Sequence, residues 1–255
     1  MITDARRIAT SFVDQLTALH FENVFNPYTD TCPIHDQVDA PLIRYRNLQL
    51  VLEAAISGGV DSIWIARDLG YRGGRRTGLA LTDDIHLSGH AQLFSTLPLA
   101  RATQGFAMGE RTAAVVWQAL RFINHPIFLW NVFPFHPHKP GNSMSNRCHT
   151  SVERLSCQSL NLQLIKILHP QKVIAIGRDA EAAFTDLGIN SIYIRHPSYG
   201  GQTEFLTGVA DIYGVSLPEK RDVQQTSQPG HPEIGYELGV WGRCPHRRGV
   251  TPAPV

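Results

Sequence analysis

No stretch of the 255 residues is apolar over the length that a membrane-spanning helix needs. The first residues, with Asp4, Arg6 and Arg7 among them, lack the apolar core of a secretion signal. No membrane association is expected, and the cytoplasm is the expected compartment. Cysteine is scarce: Cys32, Cys148, Cys157 and Cys244 follow no short regular spacing, which argues against a disulfide framework and fits a reducing compartment. Charge of one sign is lacking too. With 23 basic and 22 acidic residues the formal net charge is +1, which argues against a protein that coats polyanions with its whole surface but permits a local basic cluster. No internal repeat is visible. A phosphate loop with its Lys-Ser signature is missing, so a nucleotide-binding or transferase enzyme ranks last among the alternatives.

Apolar residues are plentiful, at 43%, enough in a chain of this length for one good core. A single domain over 1–218 is expected, with a helical N-terminal segment over 1–60. The polar, Pro- and Gly-rich stretch 219–255 reads as a flexible tail. Ile8, Phe12, Leu16 and Leu19 recur at helical spacing and predict a helix over 4–20; a second is expected over 48–56. Four short runs rich in β-branched residues, SIWIA (62–66), IFLWN (127–131), KVIAI (172–176) and SIYIR (191–195), read as buried strands. Helical patterns over 111–122, 152–168 and 180–187 separate them. This alternation predicts an α/β fold, a three-layer α/β/α sandwich around a central four-stranded parallel sheet with right-handed crossovers.

In such sheets ligands bind outside the carboxyl ends of the strands, so the residues just after each strand carry the functional information. The first strand runs into ARDLGYRGGRRTGLALTDD (66–84), where Gly70, Gly73, Gly74 and Gly78 alternate with Arg67, Arg72, Arg75 and Arg76. Each glycine costs conformational entropy unless the backbone needs positive φ or a close approach, so the loop reads as one built to hold something. The second strand ends in Asn131 and leads into VFPFHPHKPG; the last is followed by Arg195-His196-Pro197-Ser198-Tyr199-Gly200-Gly201. Blander roles stand beside these. Asp68 is also placed to cap a turn or pair with a neighbouring arginine, His196 to be a satisfied core histidine, Asn131 to end a strand, and the arginines to form a solvated loop.

Taken in order, ARDLGYRGGRRTG, LWNVFPFHPHKPG and RHPSYGG resemble the three active-site motifs of the uracil-DNA glycosylase superfamily, over roughly 21–213. The resemblance implies a DNA glycosylase with a uracil-DNA glycosylase-like fold, acting on DNA as a monomer. Asp68 falls where many members carry the acid or amide that positions the attacking water, and His196 where a histidine supports the departing base. Asn131 would hold the Watson–Crick edge of a flipped pyrimidine. Ala66 and Leu69 depart from the Gly and Pro usual in the first motif. Arg72, Arg75, Arg76, Arg195, Ser198 and Gly200 are expected at the DNA backbone, with Tyr199 as the wedge that replaces the flipped base. His136 and His138 are expected as loop or DNA-contact residues.

Some branches of the superfamily hold an iron–sulfur cluster, but the cysteines here lack the paired spacing for one, so no metal and no cofactor is expected. Gly70 stands where strict uracil enzymes place a bulky tyrosine against the pyrimidine C5, and Leu81 where relatives carry a stacking Phe. With Tyr71 able to supply a missing face, the base pocket of Asn131, Gly70, Tyr71 and Leu81 is expected to be wide. A 5-substituted or hypermodified pyrimidine of phage DNA is the favoured substrate. Uracil in base excision repair is the alternative, and a catalytically inactive nucleic-acid-binding protein the third reading.

Overall fold

The computed structural model describes residues 3–217; the expected tail over 219–255 lies outside the described residues. Helix α1 (Asp4–Thr17) starts at Thr3, whose side chain accepts the N–H of Arg6, and buries Ala9, Phe12, Val13 and Leu16. A two-residue strand β1 (Val24–Phe25) precedes α2 (Ala40–Gly58), which begins eight residues before the segment expected from periodicity, with a proline in its first turn. Then come β2 (Ser62–Asp68), the short helices α3 (Gly74–Thr77) and α4 (Leu87–Leu93), α5 (Arg111–Leu120), β3 (Ile127–Phe133) and β4 (His136–Pro137). The helix expected over 152–168 is two helices, α6 (Ser151–Ser156) and α7 (Gln158–Leu168), meeting at Cys157. The chain continues through β5 (Lys172–Ile176), α8 (Arg178–Thr185), β6 (Ile192–Ile194) and α9 (Gln202–Tyr213), the last of which the sequence reading does not anticipate.

The four predicted strands form one parallel sheet in the order β3-β2-β5-β6, and β1 pairs antiparallel with β4 outside it. The period-2 rule divides each strand between two helical layers. Ile63 and Ile65 of β2 pack with α1, α2, α7 and α8, whereas Trp64 and Ala66 pack with α5 and α9. This gives three layers, as expected for strands that are apolar on both faces. The C-terminal end of α9 is tied to β2 because Trp64 Nε1 donates to the Tyr213 hydroxyl at 2.8 Å. Cys32 and Cys157 are free thiols in the core. Cys148 is disulfide-bonded, a departure at that residue from the expected reduced state.

Candidate functional site

Strand β2 runs two residues past the SIWIA run and ends on Asp68, whose neighbour in register on β3 is Phe133. The Asp68 side chain is inaccessible to bulk solvent and has two partners. Arg67 Nε donates to Oδ2 at 2.8 Å while Arg67 Nη1 reaches Asp179 at 2.8 Å, and Oδ1 lies against His149 Nδ1. The pairing with a neighbouring arginine is therefore real. It orients the carboxylate, and Asp68 is among the residues that border the neighbouring cleft. That cleft, of 390 Å³, opens beyond the carboxyl ends of β2, β5 and β6 and lies within the range of small-molecule sites.

On the far side of the cleft stands His196, half-buried after β6. Between it and Asp68 the sheet passes through Gly177, at the end of β5, with φ +93° and little room to spare: a Cβ there would lie 3.3 Å from that of His196. The Ser198 backbone N–H donates to His196 Nδ1 at 3.1 Å, so Nδ1 is the acceptor and the neutral ring carries its proton on Nε2. Burial, helped by the Arg67 and Arg195 cations, holds His196 down to about 4, so the ring is neutral at physiological pH. The loop that follows turns back sharply. Tyr199 and Gly200 both have positive φ, and a Cβ on Gly201 would collide with the His196 carbonyl. Tyr199 is exposed at the rim, beside Ser198 and Arg195.

Gly70 and Leu81 border the same cleft, Leu81 with the strained φ of +53° and its carbonyl held by Trp117 Nε1 at 3.1 Å. Asn131, expected in the base pocket, is buried next to Ala66 in register and does not itself border the cleft; its Oδ1 has no hydrogen-bond partner among the described residues. An orphaned buried acceptor costs free energy unless a ligand satisfies it. Tyr71 does not border the cleft; its hydroxyl accepts Arg72 Nε at 2.6 Å and its ring stacks under that guanidinium.

Two expected DNA contacts are corrected. Arg75 and Arg76 are buried: the first stacks 3.9 Å from the centroid of the Phe25 ring, and the second pairs with Asp84 at 3.0 Å. Side chains enclosed in this way cannot meet a phosphate, and they instead pin the Gly-rich loop to the domain. His136 is corrected likewise, being fully buried with Nε2 at 2.9 Å from the Ser145 carbonyl.

Two groups at the site escape the sequence reading. His149 is the residue before Thr150, the N-cap of a capping box with Glu153; that box was legible, but its juxtaposition with an acid 81 residues earlier was not. Glu110 borders the cleft just before α5 and has no motif around it.

His90 and His136 are both held down to about 3 by burial, and His196 to about 4. Between the ordinary histidine value and these, the unfolded chain binds protons that the native state refuses, so stability falls as pH drops through that window. The melting temperature should decrease steadily from about pH 6.5 to 4, and His90→Gln should lose less over the same interval. A melting temperature that is flat or rises on acidification would contradict this assignment.

No protein-family model matches the chain, and no curated protein does. Among solved structures, wild-type SMUG2 of Pedobacter heparinus is similar, with a TM-score of 0.54, 11% identity, and coverage of 81% of this chain and 95% of that one. At that identity the likeness is one of fold, and it agrees with the four-stranded parallel sheet and its helical layers. The chain has a uracil-DNA glycosylase-like fold.

Proposed function

We propose that the protein is a monofunctional DNA glycosylase that acts as a monomer, lifts a non-canonical pyrimidine out of the stack and hydrolyses its N-glycosidic bond. The observation that carries this reading is the pairing of an oriented carboxylate, Asp68, with a neutral imidazole, His196, across one cleft at the strand ends. Cleavage of an N-glycosidic bond passes through an oxocarbenium-like sugar, with positive charge on the sugar and negative charge on the leaving base. Asp68 stabilises the first and orients the attacking water. Arg67 and His149 act through it as positioning residues, holding its two oxygens. His196 Nε2–H donates to the base as charge develops there, and Asn131, outside the cleft lining but paired in register with Ala66 that forms part of it, is assigned the Watson–Crick edge through its unpaired Oδ1.

Gly70 and Leu81 leave the cleft without an aromatic wall at those two positions, which favours a pyrimidine substituted at C5, such as a hypermodified base of phage DNA, and a role in antiviral defence. Uracil repair is the second reading, because the Asn131 amide can turn to satisfy either a uracil or a cytosine edge. Tyr199, exposed on its strained turn, is positioned to enter the duplex in place of the flipped base, with Arg195, Ser198 and Arg72 toward the backbone.

Incubation with end-labelled duplexes carrying a modified base should leave abasic sites that break only on alkali treatment, with full activity in a chelator. Strand breaks before alkali, or loss of activity on chelation, would count against a monofunctional, metal-independent hydrolase.

A further inference from the structure

Resting on the glycosylase reading, we propose that Glu110 is the proton donor to the departing base, and that the base is of the cytosine type. Glu110 occupies the N-cap position of α5, yet its side chain makes no capping hydrogen bond. Its backbone N–H instead donates to Asp83 Oδ2 at 2.7 Å, which pins the residue, and the carboxyl borders the cleft with Gly70, Leu81 and Thr112. The Gly-rich loop makes room for it. A Cβ on Gly73 would meet Glu110 Oε2, so the carboxyl packs directly against the Gly73 backbone.

The charged groups facing the carboxyl are Asp83 ahead of α4 and Arg72 on the Gly-rich loop. Around the same cleft lie Asp68 and Arg67 on β2, Arg178 and Asp179 on α8, and Arg195 and His196 after β6. Desolvation, reinforced by Asp83 and opposed by Arg72, pushes Glu110 up to about 7, so it is part-protonated around neutral pH. A half-buried acid with no capping role, set at the edge of a cleft, suits proton transfer.

The need for it follows from the leaving group. A uracil-type base can depart as an anion supported by one hydrogen bond from a neutral imidazole. A cytosine-type base carries an amino group at C4, holds negative charge poorly, and departs readily once protonated at N3. In the proposed step the C1′–N1 bond breaks and its electron pair stays on the base. The Glu110 proton passes to N3 and the oxygen of water bonds to C1′, with the water's proton passing to Asp68. A neutral base and an abasic hydroxyl result, and exchange with solvent returns a proton to Glu110 and removes one from Asp68. Atoms and charge balance with water as the only co-reactant.

Glu110→Gln keeps the shape and removes the transferable proton. Its kcat/KM should be measured on duplexes bearing cytosine or uracil with the same C5 substituent, hydroxymethyl and glucosylated hydroxymethyl included, between about pH 5 and 9. In the native enzyme, excision of the cytosine-type base should decline as pH rises through the Glu110 transition. In Glu110→Gln that decline should vanish, and the cytosine-to-uracil ratio should fall about 100-fold or more. Infrared difference spectra of the free proteins, read without turnover, should show a protonated carboxylic acid near neutral pH in the native protein that Glu110→Gln lacks. An unchanged ratio, a native enzyme that releases only uracil-type bases, or a carboxyl already ionised at about pH 5.5 would overturn the proposal while leaving the glycosylase reading standing. A protein that released no base from any duplex would overturn that reading, and the proposal with it.

Discussion

Asp68→Asn should yield a protein that folds and binds DNA but turns over about 10³-fold more slowly. The substitution is nearly isosteric, and Arg67 keeps its 2.8 Å contact with Asp179, so no buried guanidinium is left unpaired. An amide oxygen can still accept from Arg67 Nε, but the amide carries no negative charge to face the oxocarbenium-like sugar and cannot take a proton from water. Single-turnover kinetics with saturating enzyme separate this loss from binding, and a fluorescence-anisotropy titration should show DNA affinity within about tenfold of the native protein. If Asp68→Asn retained near-full single-turnover rate while melting normally, the water would have to be activated by another group, and the reading of the first motif would be wrong.

Introduction of a large ring at the glycine after Leu69 should reverse the substrate preference. Gly70 borders the cleft and its carbonyl accepts the N–H groups of Gly73 and Arg75, so the backbone there is fixed and cannot retreat from a new side chain. Gly70→Tyr would put a ring where a C5 substituent is expected to lie. Excision of 5-hydroxymethyl and glucosylated bases should drop by at least about 10³-fold, because a rigid steric clash costs several kcal/mol, while unsubstituted uracil is spared. The measurement is a panel of otherwise identical duplexes, with kcat/KM for each base in both proteins. A native enzyme that removed uracil rapidly and ignored every 5-substituted base would end the case for a wide pocket and return the protein to uracil repair.

Glu110 and Asp68 border one cleft, so their substitutions are not expected to be independent or additive. The double variant Asp68→Asn, Glu110→Gln is expected to be little slower than Asp68→Asn alone on a cytosine-type base.

Much of the fold was legible in the order of the residues. The four strands were marked by short β-branched runs; β2, β3 and β5 are buried as expected, whereas the edge strand β6 leaves Ile192 exposed. The ordered motifs after them brought Asp68, Gly70, Leu81, His196, Ser198 and Tyr199 to a single cleft, because parallel connection puts every strand end on the same edge. Helix α9 was not legible: its buried residues, Phe205 and Val209, are too few to set a periodicity apart from background. Charge type was readable, but its destination was not. Arg75 and Arg76 look identical to phosphate-binding arginines in sequence, and only the folded chain places Phe25 and Asp84 against them. The same holds for His149 and Glu110, single residues with no local pattern, made functional candidates by contacts with Asp68 and with the loop at Gly73. Sequence periodicity reports what a residue's immediate neighbours demand, and so it determined the layers and the edge where chemistry gathers. Burial and pairing across long sequence separations depend on the packed chain, and so tertiary structure alone decided which charges face the cleft and which hold it together.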